Sequence, residues 1–283
     1  MSGPSCTSQD ASITPTAFDK LPWRLRAVYS VRRTLARRLA AIRLHRLSPL
    51  PDNFQRGYCK QRTRWAQFLI PPGNLYLRVQ GALSEVLARQ DWIAWEAAIA
   101  TQLKRDVRIL EDHSGLEIPD LSGACLQDLL RAAGSVEDKL RGIYLSACAL
   151  QQFHRICVTN GRFTNWPLSH GDATARNVIV DLETNTANWI DFDMRHRPGL
   201  APVTRRADDL RTLMWSSANW LDQSECRDVI CAASEGYADA EVVRELQGLT
   251  RRWTCPTVFQ LAQSPMSITN FADFRATLCN IVF

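Results

Sequence analysis

From Ser169 onward the chain alternates between polar clusters and short apolar runs in a way that defines its centre. Asn177-Val178-Ile179-Val180 is a β-branched strand, Asp181 to Asn188 supplies polar turn residues, and Asn188-Trp189-Ile190 returns as a second apolar strand. That pattern predicts a hairpin. A hairpin aligns its two outer ends, so His170, Gly171, Asp172 and Asn177 before the first strand should meet Asp191, Phe192 and Asp193 after the second.

Elsewhere the pattern is mostly helical. Val28, Val31, Leu35, Leu39 and Ile42 share one face of a helix within Leu21 to Leu47, with Arg26, Arg33 and Arg37 opposite, and Pro49 and Pro51 close that segment. Arg64 to Ile70 and Leu75 to Val79, split by Pro71-Pro72-Gly73-Asn74, predict a β-hairpin. A helix is predicted over Leu83 to Lys104, carrying Glu85 and Glu96, followed by strands at Val107 to Leu110 and Leu116 to Ile118. Further helices are predicted from Cys125 to Gly134, Val136 to Val158, Ala207 to Leu221 and Ser234 to Trp253. His154 falls on an apolar side and reads as a core histidine.

Composition narrows the class. The chain has 283 residues, 46% hydrophobic and 22% charged, which suits one large domain or two lobes. Residues 1–18 are polar and are expected to be disordered; they lack an apolar signal centre, and no apolar run is long enough to span a bilayer, so a cytoplasmic location is expected. Nine scattered cysteines without a Cys-x-x-Cys pair read as reduced, mostly buried thiols.

Charge is uneven. Residues 1–60 hold eleven Lys and Arg against three Asp, so a basic segment is joined to a mildly acidic body. Leu21 to Leu47 has no acidic residue, and its amphipathic arginine helix suits either an anionic membrane surface, on the inner face, or packing on the body with its arginines in water. Nucleic acid is a weaker fit because few aromatics interleave the arginines. The basic loop after the hairpin, with Arg195, Arg197, Arg205 and Arg206, suits an anionic substrate or plain solvation.

Two carboxylates and an amide converging at a sheet end suit magnesium and a nucleotide, because the hard cation takes oxygen ligands and an acceptor hydroxyl needs a positioned carboxylate. The order His170-Gly171-Asp172, Asn177, strand, turn, strand, Asp191-Phe192-Asp193 resembles the catalytic and metal-binding loops of the protein-kinase-like phosphotransferases. It is nearest to the bacterial small-molecule and glycolipid branches, among them aminoglycoside and choline kinase-like enzymes and lipopolysaccharide-core sugar kinases. The resemblance covers roughly residues 64–221 and is densest over 169–211.

That resemblance implies an α+β, bilobal protein-kinase-like fold, with a small antiparallel-sheet N-lobe holding one helix and a larger, mostly helical C-lobe. The implied division is a disordered 1–18, a basic helical extension 19–60, an N-lobe 61–120 and a C-lobe 121–283. It implies an ATP-dependent kinase acting on a hydroxyl of a small molecule or glycolipid sugar, with ATP and Mg²⁺ as cofactors. Asp172 would orient or deprotonate the acceptor, Asn177 and Asp191 would hold magnesium, His170 would tie the two loops together and Asp209 would brace them from below. Asp193 stands where many relatives have Gly, and would add a metal ligand or cap the strand end. Residues 118–123 would be the hinge that meets adenine. The usual strand lysine is missing where expected; Arg78, in Leu-Tyr-Leu-Arg-Val, stands there with Glu96 as its helix partner, and no Gly-x-Gly-x-x-Gly precedes it. Those departures leave open a pseudokinase or nucleotide-binding scaffold without transfer activity.

Overall fold

The protein is described here by a computed structural model covering residues 23, 27–28, 30–32, 34, 45–50, 57–132, 134–160, 163–253, 257, 260–261 and 268–280. The expected disorder over 1–18 and most of the arginine helix lie outside these residues, although the described positions between 23 and 34 are helical.

The architecture is α+β, with small antiparallel sheets beside a larger helical body. A four-stranded sheet orders β1 (His45–Pro49), β2 (Gly57–Arg62), β5 (Gly115–Pro119) and β4 (Arg108–Ile109), so β2 is internal. The sheet therefore begins at residue 45, inside the segment expected to be a helical extension. Between β2 and β4 lie helix α1 (Arg64–Val79), strand β3 (Ser84–Val86) and helix α2 (Arg89–Gln102).

Two expectations fail here for one reason, which is that tertiary packing overrides local turn chemistry. The predicted hairpin over 64–79 is the single helix α1, despite Pro71 and Pro72 within it. Ala66, Ile70 and Leu77 recur at helical spacing and are buried, and the Asn74 side chain bonds both Val86 N–H and Val86 C=O, each at 2.8 Å. The proline-glycine-asparagine run thus pins a helix to β3 instead of turning the chain. Glu85, in turn, is not helical: β3 pairs antiparallel with β11 (Met194–His196), and the helix starts only at Arg89.

The body begins with β6 (Ala124–Cys125) and α3 (Leu126–Arg131), then the long α4 (Val136–His154), whose N-cap Ser135 accepts from Asp138 N–H. Strands β7 (Cys157–Asn160) and β8 (Phe163–Pro167) form a separate ribbon, which takes Val158 out of the predicted helix. The central hairpin is present as β9 (Val178–Asp181) and β10 (Thr186–Trp189), with Val178 opposite Trp189. β6 adds to its other edge. Gly123, at φ 114°, makes that approach possible, since a Cβ there would lie 2.4 Å from the Val180 carbonyl oxygen.

Helices α5 (Pro202–Ala218), α6 (Cys226–Tyr237), α7 (Ala240–Arg252) and α8 (Ile268–Asn280) complete the body. The helix predicted over 234–253 breaks because Ala238 is left-handed and Asp239 caps α7 by accepting from Glu241 and Val242 N–H. One apolar core joins α2, α4, the hairpin and α5 to α8, through Trp92, Leu150, Trp189, Trp215 and Phe274. Of the seven described cysteines, all free, only Cys226 is fully buried, so the expectation of mostly buried thiols fails.

Candidate active site

The loop before β9 is held in one shape. Gly171 has φ 77°, and a Cβ at this position would sit 3.0 Å from the Arg195 backbone, so only glycine fits the turn between His170 and Asp172. Asp209, in α5, gathers the turn from below. Its Oδ2 accepts from His170 N–H at 2.7 Å and lies 2.9 Å from His154 Nε2, while Oδ1 accepts from Gly171 N–H at 2.9 Å. Burial works against that charge, but the imidazoles of His196 and His154 outweigh it and hold the carboxyl down at about 2. Asp209 therefore stays ionised as a fixed acceptor.

The histidines serve the same clamp. His154 is buried as expected, with its pKa lowered by burial, and its other ring nitrogen lies 2.6 Å from the Tyr237 hydroxyl. His170 Nε2 lies 2.9 Å from the Ile190 carbonyl oxygen, tying the first loop to the chain just before Asp191. Asp172 follows the clamped turn. Asn177 donates its amide Nδ2 to both the Asp172 carboxylate and its backbone carbonyl, each at 2.9 Å. With Nδ2 so used, the amide oxygen is the end of Asn177 suited to a cation. Ile190 N–H donates to the Asn177 carbonyl, so Asn177 and Asp191 are neighbours across the strand ends.

Asp191 meets the four-stranded sheet. Its Oδ1 lies 2.6 Å from Lys60 Nζ on β2, and the same ammonium lies 2.7 Å from Glu96 Oε2 on α2. Glu96 also accepts from Trp92 Nε1. Burial opposes charging Lys60, yet Asp191 and Glu96 overcome it and raise its pKa. For Asp191 burial again opposes charge and Lys60 prevails, so its carboxyl is lowered to about 2. Asp191 is itself left-handed, at φ 64°, a conformation that Asp adopts more readily than most residues with a Cβ.

Arg78 is elsewhere. It lies in the last turn of α1, not on a strand, its side chain is 55% exposed, and it pairs with Glu85 instead of Glu96. The strand cation that pairs with Glu96 is Lys60. The signal for it was in the sequence: in Gly-Tyr-Cys-Lys-Gln-Arg a period of two places Lys60 and Arg62 on one face, and both are buried. A buried lysine on an internal strand requires an acid, and Glu96 is that acid.

Arg62 and His45 extend the charged surface. Arg62 donates to the Leu87 carbonyl, lies 4.8 Å over the Trp92 ring and approaches Asp193 to 4.0 Å, with His45 Nδ1 3.7 Å from the same carboxylate. Asp193 thus faces cationic and imidazole groups of the sheet. Burial and the neighbouring Asp191 charge push it up to about 7. Burial, with Lys60 and Arg62, depresses His45 to about 3, so its ring is neutral. His45, Asp191 and Asp193 present ligand atoms all within 4.8 Å of one another. Beside them, Asn177 and Asp191 give the hard oxygen donors that suit magnesium.

On the other side of Asp172 opens a cavity of about 220 Å³, lined among others by Ser84, Asp172, Arg211, Arg252, Trp253 and Gln260. Arg211 is bound to Asp208 and lies 4.7 Å over the Trp253 ring. The basic loop residues expected to attract an anion are absent from this lining: Arg195 pairs with Glu85, Arg205 donates to the Pro167 carbonyl and Arg206 to that of His154. They hold the fold.

Asp172 therefore lines this cavity and is tied through Asn177 to the strand ends that lead to Asp191. No protein-family model matches this chain, and no curated protein matches it.

Proposed function

We propose that this protein is a phosphotransferase of protein-kinase-like architecture, moving the γ-phosphoryl group of ATP to a hydroxyl of a small molecule or glycolipid sugar. The observation that carries the reading is the junction at Lys60, where an internal-strand cation joins a helix carboxylate, Glu96, to Asp191 at the end of the central hairpin. That is the arrangement a bilobal kinase uses to grip nucleotide phosphates beside its metal loop. Residues 45–119 then form the nucleotide lobe, Asp120 to Gly123 the hinge and residues 124–280 the catalytic lobe.

Within this reading Lys60 binds the nucleotide phosphates, and Glu96 orients it. Asn177 and Asp191 would hold Mg²⁺, which when bound neutralises charge on the phosphate oxygens as the terminal group transfers. Asp172, fixed by Asn177 and the Asp209 clamp, accepts the proton of the acceptor hydroxyl or orients it for in-line attack. The acceptor occupies the cavity on the Asp172 side.

A scaffold without transfer activity is the competing reading, motivated by a missing strand lysine and a missing glycine loop. Lys60, on β2 and paired with Glu96, speaks against the first of these grounds. Two variants test the assignment. Wild-type protein should gain thermal stability from ATP only with Mg²⁺ present, and Asp191→Ala should lose that gain. Asp172→Ala should keep the gain and the fold but lose ADP release with sugar and glycolipid acceptors. Full turnover by Asp172→Ala, or no Mg²⁺-dependent shift in folded wild type, would overturn the reading.

A further inference from the structure

Helix α1 has two apolar faces, and among the described residues only one is buried. Ala66, Ile70 and Leu77 are buried against the body. Trp65, Phe68, Leu69, Pro72, Leu75 and Val79 recur at three- and four-residue steps on another side, with Trp65 76%, Phe68 74%, Leu75 65% and Val79 73% exposed. An aromatic and aliphatic stripe running the length of a sixteen-residue helix is not the scattered exposure of an ordinary surface.

Charge identifies what covers it. α1 contains no acidic residue, and Arg64 and Arg78 lie together along one flank of the stripe, Arg78 sharing Glu85 with Arg195. Between residues 20 and 84 the chain has fourteen Lys and Arg and a single acid, Asp52. Trp23, Val28 and Val31, helical residues of the same basic region, are also exposed. Covering one of these faces with the other, or with a second copy of α1, would bring cations together with almost no carboxylate to offset them. An anionic bilayer meets both demands, taking the apolar stripe into its interface and the arginines onto its phosphates.

We propose that α1 is an interfacial membrane helix, seated in the headgroup region of an anionic bilayer on its Trp65-Phe68-Leu75-Val79 stripe. No helix among the described residues is long and apolar enough to cross a membrane, so the contact lies in the plane of the surface. α1 runs directly into Gln80 to Ser84, which line the cavity beside Asp172. Docking on this face therefore places the rim of that cavity at the lipid headgroups. The proposal goes beyond phosphotransfer and does not depend on it.

The test is co-sedimentation of the intact chain with vesicles of mixed phosphatidylglycerol and phosphatidylcholine, and with phosphatidylcholine alone. Wild type should sediment with the anionic vesicles, and Trp65→Ser/Phe68→Ser should bind them roughly tenfold more weakly or worse. Its thermal midpoint should be unchanged, because both side chains are in solvent. Leu75→Ser/Val79→Ser, at the other end of the stripe, should behave alike. Three results overturn the proposal: no binding of wild type to anionic vesicles, equal binding by both variants, or a wild-type dimer in gel filtration that either variant dissolves.

Discussion

Replacing Lys60 by Met separates the cation that matters from the one that the sequence pointed to. The ammonium sits 2.7 Å from Glu96 and 2.6 Å from Asp191. At an effective dielectric near 20, each contact supplies about 6 kcal/mol of attraction before desolvation is subtracted. The two arms are unequal. Glu96 has a side chain only 6% exposed, whereas that of Asp191 is 38% exposed and can be rehydrated. Methionine fills the stem volume of lysine but leaves Glu96 a buried carboxylate without its ammonium partner, keeping the Trp92 N–H as a hydrogen-bond donor. Removing one partner of a buried pair costs about 3–5 kcal/mol. With the Asp191 arm discounted for water, we expect about 3 kcal/mol, or a fall in thermal midpoint of roughly 6–12 °C for a chain of this size. Arg78→Met is the control: its side chain is 55% exposed and its pair with Glu85 is at the surface, so the change should stay within about 0.5 kcal/mol. Glu96→Gln added to Lys60→Met should restore part of the loss by removing the stranded charge. Thermal denaturation at neutral pH measures all three. Equal effects at positions 60 and 78, or a neutral Lys60→Met, would refute the reasoning.

Other consequences follow from the clamp beneath Asp172. Gly171→Ala forces a Cβ against the Arg195 backbone at φ 77°, and urea denaturation should show a loss of about 1–3 kcal/mol. Asp209 is held at about 2 in the fold against an unfolded value near 3.9, so its stabilisation is complete above pH about 4 and is lost as pH falls through about 2. Asp209→Asn should remove about 2–3 kcal/mol at neutral pH and flatten the acid limb of the stability curve between those values. An unchanged acid limb in that variant would mean that the carboxylate is not the acceptor for His170 and Gly171.

The hairpin and its flanking acids were legible because they are local: Asn177 to Ile190 alternates strand and turn chemistry without competition, and Asp172, Asn177 and Asp191 meet as soon as β9 pairs with β10. The Asp209 brace, 38 and 39 positions from Gly171 and His170, was legible only through the family resemblance. The role of His170 at Ile190 follows from the same pairing. The nucleotide-lobe reading was poorer because its residues are defined by distant partners. Lys60 is thirty-six positions from Glu96 and 131 from Asp191, so the alternation that puts it on one strand face with Arg62 does not name the acids it meets. α1 was misread because Pro-Pro-Gly-Asn carries a strong turn signal, while the bonds that keep it helical come from Val86, twelve residues on. His45 and Asp193 meet only through the sheet on which β1 lies.

The pairing of β3 with β11 has a kinetic meaning. The chain leaving Asp193 enters a two-stranded ladder at once: Met194 lies opposite Val86, Leu87 N–H donates to the Asp193 carbonyl, and Arg197 N–H donates to that of Leu83. Phe192 is stacked on Phe153 at 5.3 Å within the core. Turning the Asp-Phe-Asp segment outward would mean unzipping this ladder and withdrawing a buried ring in a single step, so the Leu87 and Arg197 amides that donate into it should exchange slowly with solvent. The segment is thus anchored on two sides, by the β3–β11 ladder and by the Phe153 ring.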